Sequence, residues 1–198
     1  MPNIVPETKP RLSYGDLMEK LDAAGHVIDQ AEDPLIVVGI RGYYKDHMGI
    51  AGRNDRGIYD DAIFLVSPNF FGSYNGNTDP SRVRKGRGTG EGKGMASLTV
   101  GLWRAHRFGM HKGIYMALCQ TGGDVTVMRD GVGVDYAETG RFGINIHNGG
   151  WAGTSSLGCQ TIYPGQWESF ISAAMDQAQR HFGSKWNRTT VPYALLEA

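Results

Sequence analysis

Residues 141–162 read RFGINIHNGGWAGTSSLGCQTI, and this stretch decides how the rest of the chain is interpreted. Apolar residues at every second position from 142 to 146 predict a strand that ends at His147. A loop rich in Gly, Ser and Thr follows and leads to Cys159. One His and one Cys at the two edges of a glycine-rich loop are the residue types of a thiolate–imidazole pair. The competing interpretation is a buried cysteine and an unrelated surface histidine, because free Cys is among the most buried residue types.

Glycine is the compositional outlier, with 29 of 198 residues, about twice its usual share of roughly 7%. Glycine at this level without a period indicates many turns between short strands. We therefore expect a β-rich α+β fold: a mixed sheet or sandwich of short strands with long loops, an N-terminal helix and a C-terminal amphipathic helix packed on the sheet. Residues 1–12, with three prolines, are predicted as an irregular arm, and residues 13–198 as a single catalytic domain.

Local signals place the individual elements. Ser13 is a good helix cap and Gly25 a good stop, and Pro164 and Gly183 bracket a second helix with a three- and four-residue apolar repeat. A turn at 122–124 predicts a hairpin. Strands are predicted at 35–40, 62–66, 97–103, 113–120, 125–129, 141–147 and 189–191, and long polar loops at 41–61 and 69–94.

Charge and hydropathy narrow the classes of partner. Twenty basic residues balance twenty acidic ones, so neither nucleic acid nor an anionic membrane is expected as a partner. One basic cluster is an exception to this balance and consists of Arg82, Arg84, Lys85, Arg87 and Lys93. It is interpreted either as a flexible basic loop or as a site for an acidic substrate or a cell-wall polymer. The N-terminus shows no secretory signal, and no apolar run approaches the roughly 18 to 20 residues that span a bilayer. We expect synthesis in the cytoplasm without a signal peptide.

The two cysteines differ in setting. Cys119 lies in an apolar, strand-like run and is predicted to be an inert core residue, whereas Cys159 lies in a polar loop and is predicted to be an exposed free thiol. A thiol with a pKa of about 8.5 needs a base at neutral pH. His147 leads into the same loop and is the best candidate. Gly158 lets the backbone turn so that amide N–H groups can face a reacting carbonyl, as in an oxyanion hole.

The strand ending in Ile146-His147, the glycine-containing loop and Ser156-Leu157-Gly158-Cys159 together resemble the catalytic signature of the L,D-transpeptidases. These are β-rich cysteine enzymes of bacterial peptidoglycan that attack a stem peptide and pass the acyl group to an amine or to water. The resemblance implies Cys159 as nucleophile and His147 as base. It implies that the Asn148 carbonyl orients the imidazole and that the Gly158 and Cys159 amides form the oxyanion site.

The chain departs from the family pattern in three places. The gap between His147 and Cys159 is short, Leu157 stands where the family often has His, and Gln160-Thr161 replaces an apolar residue and a carboxylate-binding Arg. The substrate contacts expected beside the nucleophile are Ser156, Gln160, Trp151 and Tyr59. Peptidoglycan stem peptides are the implied partner, with no metal and no cofactor.

A wider pattern is also similar to L,D-transpeptidase-like proteins of bacteriophages and prophages. It consists of residues 39–41, NDRGIYDD at 54–61 and the NIHNGG and TSSLGCQT segments. That likeness implies an endolysin-like peptidase, acting on the cell wall after release or delivery, that hydrolyses a stem-peptide or cross-link bond.

Three alternatives remain open. The first is a transpeptidase that forms cross-links. The second is a non-catalytic wall-binding or phage structural module of the same fold, with Trp151 and Trp103 stacking on sugars. The third is a metal hydrolase, for which the candidate ligands are His106, His111, His147, Asp60 and Asp61, although no tight ligand spacing is present.

Overall fold

The computed structural model describes residues 3–89 and 92–198. Two residues of the expected N-terminal arm, 1 and 2, and two of the expected 69–94 loop, 90 and 91, lie outside this range. The helices are α1, Tyr14–Ala23, and α2, Pro164–Phe182, followed by a 3-10 turn at Gly183–Lys185. The strands are β1 Ile36–Arg41, β2 Asp61–Ser67, β3 Phe70–Asn77, β4 Ala96–Leu98, β5 Gly101–His111, β6 Tyr115–Gln120, β7 Val125–Arg129, β8 Tyr136–Gly140, β9 Ile146–Asn148, β10 Gln160–Ile162 and β11 Val191–Glu197.

Eight strands close into a barrel in the order β1-β11-β5-β6-β9-β10-β3-β2, and β4, β7 and β8 form a separate three-stranded sheet. The pairs β1–β11 and β9–β10 are parallel. The predicted β-rich α+β fold with two helices is therefore confirmed. The predicted sheet or sandwich is replaced by a closed barrel, because β1 pairs with both β2 and the C-terminal β11 and so leaves no free edge there.

The helices cover opposite faces of the same strands. Leu17 and Leu21 of α1 pack with one set of strand residues, and the apolar face of α2 packs with the alternate set. Because β1, β2 and β11 are thus buried on both faces, their sequences are nearly continuous apolar runs. Both predicted helices are confirmed, and Ser13 caps α1 by accepting the Asp16 amide at 3.1 Å.

Strand β3 occupies the first part of the expected 69–94 loop, so that prediction was wrong for residues 70–77. Its polar, glycine-rich sequence FFGSYNGN gives no strand signal, but its glycines are required by packing. A Cβ on Gly76 would lie 2.5 Å from Ile63 Cγ1. The end of β3 pairs with β10 and thereby supports the segment that follows Cys159.

The last strand was also mispredicted, because Pro192 reads as a strand breaker. The strand runs from Val191 to Glu197, and the register against β5 shifts between Val191 and Tyr193. A bulge of this kind tolerates a proline that has no N–H to donate.

The turn at 122–124 does not form the predicted hairpin, because β6 stays in the barrel while β7 belongs to the small sheet and pairs with β4 and β8. The predicted 97–103 strand divides into β4 and β5. The predicted 141–147 strand begins only at Ile146, because Gln120 Oε1 accepts the amides of Phe142 and Ile144 and so replaces a strand partner. Among the described residues, no helix has the length and apolar character needed to cross a membrane.

Candidate active site

His147 and Cys159 are brought together by the parallel pairing of β9 and β10. His147 is in register with Thr161, and the Gln160 amide donates to the Asn145 carbonyl at 2.8 Å. Cys159 immediately precedes β10, two residues before Thr161. Because alternate residues of a strand share a face, His147 and Cys159 lie diagonally opposite each other on the same face. Both line one cavity of about 510 Å³.

The thiol of Cys159 is held between two backbone groups. Its Sγ accepts the Asn145 amide at 3.4 Å and donates to the Gly143 carbonyl at 3.2 Å. Burial raises the pKa of Cys159 to about 11, with the Asn145 hydrogen bond opposing the shift. At neutral pH the Cys159 thiol is therefore protonated. Both cysteines are free, and Cys119 is buried as predicted, whereas Cys159 is half-buried instead of exposed.

His147 is oriented as a neutral base. Its Nδ1 donates to the Asn148 carbonyl at 2.7 Å, which is the arrangement that the family resemblance implies. Because Nδ1 carries the proton, Nε2 holds the free lone pair. That nitrogen bonds to no described residue and is not sealed in the interior. Burial lowers the pKa of His147 to about 4, so the imidazole is unprotonated at neutral pH.

A second imidazole, which the sequence did not assign to the site, lies against the first. The His111 and His147 rings are stacked with centroids 4.2 Å apart, and His111 lines the same cavity. Asn145 fixes the His111 tautomer: its Oδ1 accepts the Gln120 amide, so its Nδ2 donates to His111 Nδ1 at 3.1 Å. His111 Nε2 therefore carries the proton and is open to the cavity.

Asn145 connects His111 to Cys159, since its side chain holds His111 and its amide contacts the Cys159 thiol. In the sequence, the feature that indicated this contact is the position of Asn145 on the polar face of the predicted strand, two residues before His147. His111 gave no local signal, because it lies 36 positions before His147 in the sequence and reaches the site through β5–β6 pairing.

The Gly158 amide is not free for the oxyanion role that the resemblance implies. The Gly158 amide donates to Ser156 Oγ at 2.9 Å, and that hydroxyl donates to the Cys159 carbonyl at 2.7 Å. Gly158 is therefore a conformational residue: its φ is +154°, and a Cβ there would lie 2.3 Å from the Ala96 carbonyl oxygen. The Cys159 amide donates in none of the loop and turn hydrogen bonds between residues in the described ranges.

Three of the four expected substrate contacts are buried and do not line the cavity that contains Cys159, namely Ser156, Gln160 and Tyr59. Ser156 is buried in the turn just described, and Gln160 is fully buried, with its Oε1 accepting Tyr193 Oη at 2.9 Å. Tyr59 is also fully buried, and its hydroxyl donates to the Gly150 carbonyl at 2.7 Å. Their polar atoms are therefore used in hydrogen bonds within the protein. Trp151 is 69% exposed, beside a second cavity.

The cavity is cationic although no arginine follows Cys159. It is lined by Lys93, Lys112, Arg129 and Arg141, and by no carboxylate within the described ranges. Lys93 and Arg129 share Glu138, and Arg141 pairs with Asp124. Lys112 makes no ion pair with any residue that the structure describes. It stands in the β5–β6 turn with a φ of +51°, directly after His111, and its charge lowers the pKa values of both histidines and of Cys159.

The residues of the metal-site alternative do not converge on one point: His111 and His147 stack in the first cavity, whereas His106, Asp60 and Asp61 do not line it. His106 is fully buried and its Nε2 faces the Ile144 carbonyl at 2.8 Å. Asp60 and Asp61 are buried at the start of β2 and accept backbone amides. Within residues 3–89 and 92–198, no group of three or more His, Cys, Asp or Glu side chains could hold a metal ion.

Comparison with models of protein families found no match, and comparison with curated proteins found none either. The likeness of residues 141–162 to the L,D-transpeptidases therefore stays a prediction from the residues themselves.

Proposed function

We propose that this chain is a cysteine acyl-transfer enzyme that acts on peptidoglycan and hydrolyses a stem-peptide or cross-link bond. The observation that carries the proposal is the shared face of His147 and Cys159 on the parallel pair β9–β10, beside one cavity. A neutral imidazole with a free Nε2 next to a protonated thiol is the pair required for general-base activation of a nucleophile.

The reaction begins with proton transfer. With the pKa of Cys159 raised and that of His147 lowered, a preformed ion pair is disfavoured, so the thiol proton moves to His147 Nε2 as Sγ attacks the carbonyl carbon. The negative oxygen that forms is stabilised by the Cys159 amide and by His111 Nε2–H. His147 then protonates the departing amine, and a thioester remains on Cys159.

Hydrolysis completes the cycle. Water gives a proton to His147 Nε2 and adds to the thioester, the C–S bond breaks, and the proton returns to sulfur as the carboxylic acid product leaves. If an amine took the place of water, the same steps would form a cross-link. The resemblance to phage proteins favours hydrolysis.

Purified sacculi provide the test. Cys159→Ala and His147→Ala should each lower turnover by about 10³-fold or more, because each removes a partner in proton transfer. Both proteins should keep the wild-type unfolding midpoint to within a few degrees. Mass spectrometry of the soluble products separates cut peptides from new cross-links. Full activity in Cys159→Ala would exclude the mechanism, and new cross-links without cut peptides would exclude hydrolysis.

A non-catalytic wall-binding module is the second candidate, favoured by the protonated thiol bonded to Gly143 and by the exposed Trp151. It requires Cys159 to be inert towards a thiol-directed electrophile at neutral pH. It also requires Cys159→Ala to bind sacculi as wild type does, with no product released by either protein.

A further inference from the structure

A second cavity adjoins the first across a thin wall of backbone. It has a volume of about 870 Å³, and Ser155 and Leu157 line both cavities. The wall is firmly held, because the Ser156 amide donates to Ser81 Oγ at 2.6 Å and that hydroxyl contacts Thr154 Oγ1 at 2.8 Å. Ser155 has a φ of +56°, a conformation that costs a non-glycine residue energy and is concentrated at functional sites.

The charge of this second cavity is positive. Arg56, Arg82 and Arg84 line it, and no carboxylate from the described ranges does. The guanidinium group of Arg56 is neutralised by Asp130, to which it donates at 2.6 and 2.8 Å. Arg82 and Arg84 are exposed, and neither side chain makes an ion pair with a residue that the structure describes.

The backbone that carries these two arginines is nevertheless fixed. Arg56 Nη1 donates to the Arg82 carbonyl at 3.1 Å, and the Arg84 amide donates to Asp130 Oδ2 at 3.0 Å. The Arg56–Asp130 pair therefore holds the segment in place while its two neighbouring guanidinium groups stay available. Two planar guanidinium groups on an anchored backbone are suited to binding carboxylates, because each can donate two parallel hydrogen bonds to one carboxylate.

Trp151 forms the opposite rim. It is 69% exposed, yet its ring is supported edge-on by Tyr163 at 5.4 Å, and Tyr163 packs on the buried Tyr59 at the same distance. An exposed indole on a fixed aromatic base offers a flat apolar surface to a ligand at little cost in side-chain entropy.

We propose that this second cavity binds an acidic peptide, namely the second peptide of a substrate in which two peptides are joined through the bond that is cut. The inference rests on the proposed function and specifies its substrate as a cross-linked pair of stem peptides. Each cationic cavity takes the carboxylates of one peptide, and the cysteine lines the first cavity, two residues after Leu157 of the shared wall. A neutral glycan would use Trp151 but would leave both free arginines without a partner.

Soluble cross-linked dimers and uncross-linked monomers, released from sacculi with a muramidase, provide the test. Arg82→Gln/Arg84→Gln should lower the dimer-to-monomer ratio of kcat/KM by about tenfold or more, since each replacement removes charge-assisted hydrogen bonds to the second peptide. The matched control is Lys185→Gln/Arg188→Gln, which removes two exposed charges outside both cavities and should keep the wild-type ratio. An unchanged ratio in the cavity variant would overturn the proposal.

Binding without turnover separates this proposal from the proposed function. Cys159→Ala protein, titrated with the dimer and followed by tryptophan fluorescence, should lose affinity by about tenfold or more when Arg82 and Arg84 are also replaced. Equal affinity for peptide-free glycan chains, unaffected by the arginine replacements, would assign the cavity to sugar instead. Dimer binding that depends on the arginines, in a wild-type protein that cuts no peptide bond, would refute the hydrolase and leave the binding site standing.

Discussion

At the scale of single residues, the candidate site pairs two groups that are both neutral at neutral pH, and the proposed mechanism requires them to become charged only during reaction. The Cys159 thiol and the His147 imidazole both have pKa values displaced by burial towards their neutral forms. Three groups around them can stabilise transient charge: the Asn145 amide on Sγ, the His111 Nε2–H and the ammonium group of Lys112. The sequence singled out Cys159 and His147 and has Asn145 in the same segment, whereas His111 and Lys112 come from the distant β5–β6 turn.

His111→Ala should move the acidic limb of the kcat/KM profile to higher pH. The stacked ring keeps water from His147, and its removal lets the pKa of His147 rise from about 4 towards the ordinary value of about 6.5. A base with a higher pKa is protonated, and therefore inactive, at a higher pH. The control is His47→Ala, which removes an exposed histidine that is remote in sequence from His111 and His147. An acidic limb that stays in place would show that the stack does not set this pKa.

At the scale of elements, the segment between β9 and β10 is short but extensively bonded. Tyr59, Ser156 and Gln160 each give it a buried hydrogen bond, and β3 pairs with the strand that follows it. The sequence marked all three as residues of the site because they surround Cys159 or resemble family positions. Whether a polar side chain faces a ligand or a backbone group depends on burial, which the local sequence does not specify.

Gly158→Ala should impair both stability and activity. Its φ of +154° suits only glycine, and the new Cβ would meet the Ala96 carbonyl oxygen at 2.3 Å, so β4 or the Cys159 backbone must shift. We expect a loss of about 1–3 kcal/mol in the free energy of unfolding, measured by denaturant titration, and a loss of turnover larger than that destabilisation explains. Gly133→Ala is the control, because its Cβ would meet nothing within 4 Å. Wild-type turnover in Gly158→Ala would contradict the role given to this turn.

At the scale of the whole molecule, closing the barrel buries ionisable groups whose effects on stability have opposite signs. Burial lowers the pKa of His106 to about 4, so this residue loses stabilisation as the pH falls from about 6.5 to about 4. Burial also raises the pKa values of Asp60 and Asp61, to about 6 and about 8, so these residues lose stabilisation as the pH rises from about 4 through those values.

His106→Gln isolates one of these contributions. The free energy of unfolding of the wild-type protein should fall, relative to that of the variant, by roughly 3 kcal/mol between pH 7 and pH 4. The reason is that burial lowers the pKa of His106 from 6.5 to about 4, and a difference of one in pKa corresponds to about 1.36 kcal/mol. The variant keeps an amide near the Ile144 carbonyl and does not titrate. Denaturant unfolding at the two pH values measures the difference. A constant difference would mean that His106 is not held neutral by burial.

The sequence alone determined what short-range patterns encode. The caps and apolar repeats of both helices, the apolar strands 36–41 and 61–67, and the pairing of one histidine with one cysteine around a glycine loop depend on neighbouring residues and were readable. The tertiary structure decided what depends on distant pairing. The parallel contacts β1–β11 and β9–β10 close the barrel and set His147 beside Cys159, and β5–β6 brings His111 and Lys112 to the same cavity. The physical reason is that a strand's partner, and the burial that follows from it, are set by segments far away in the chain.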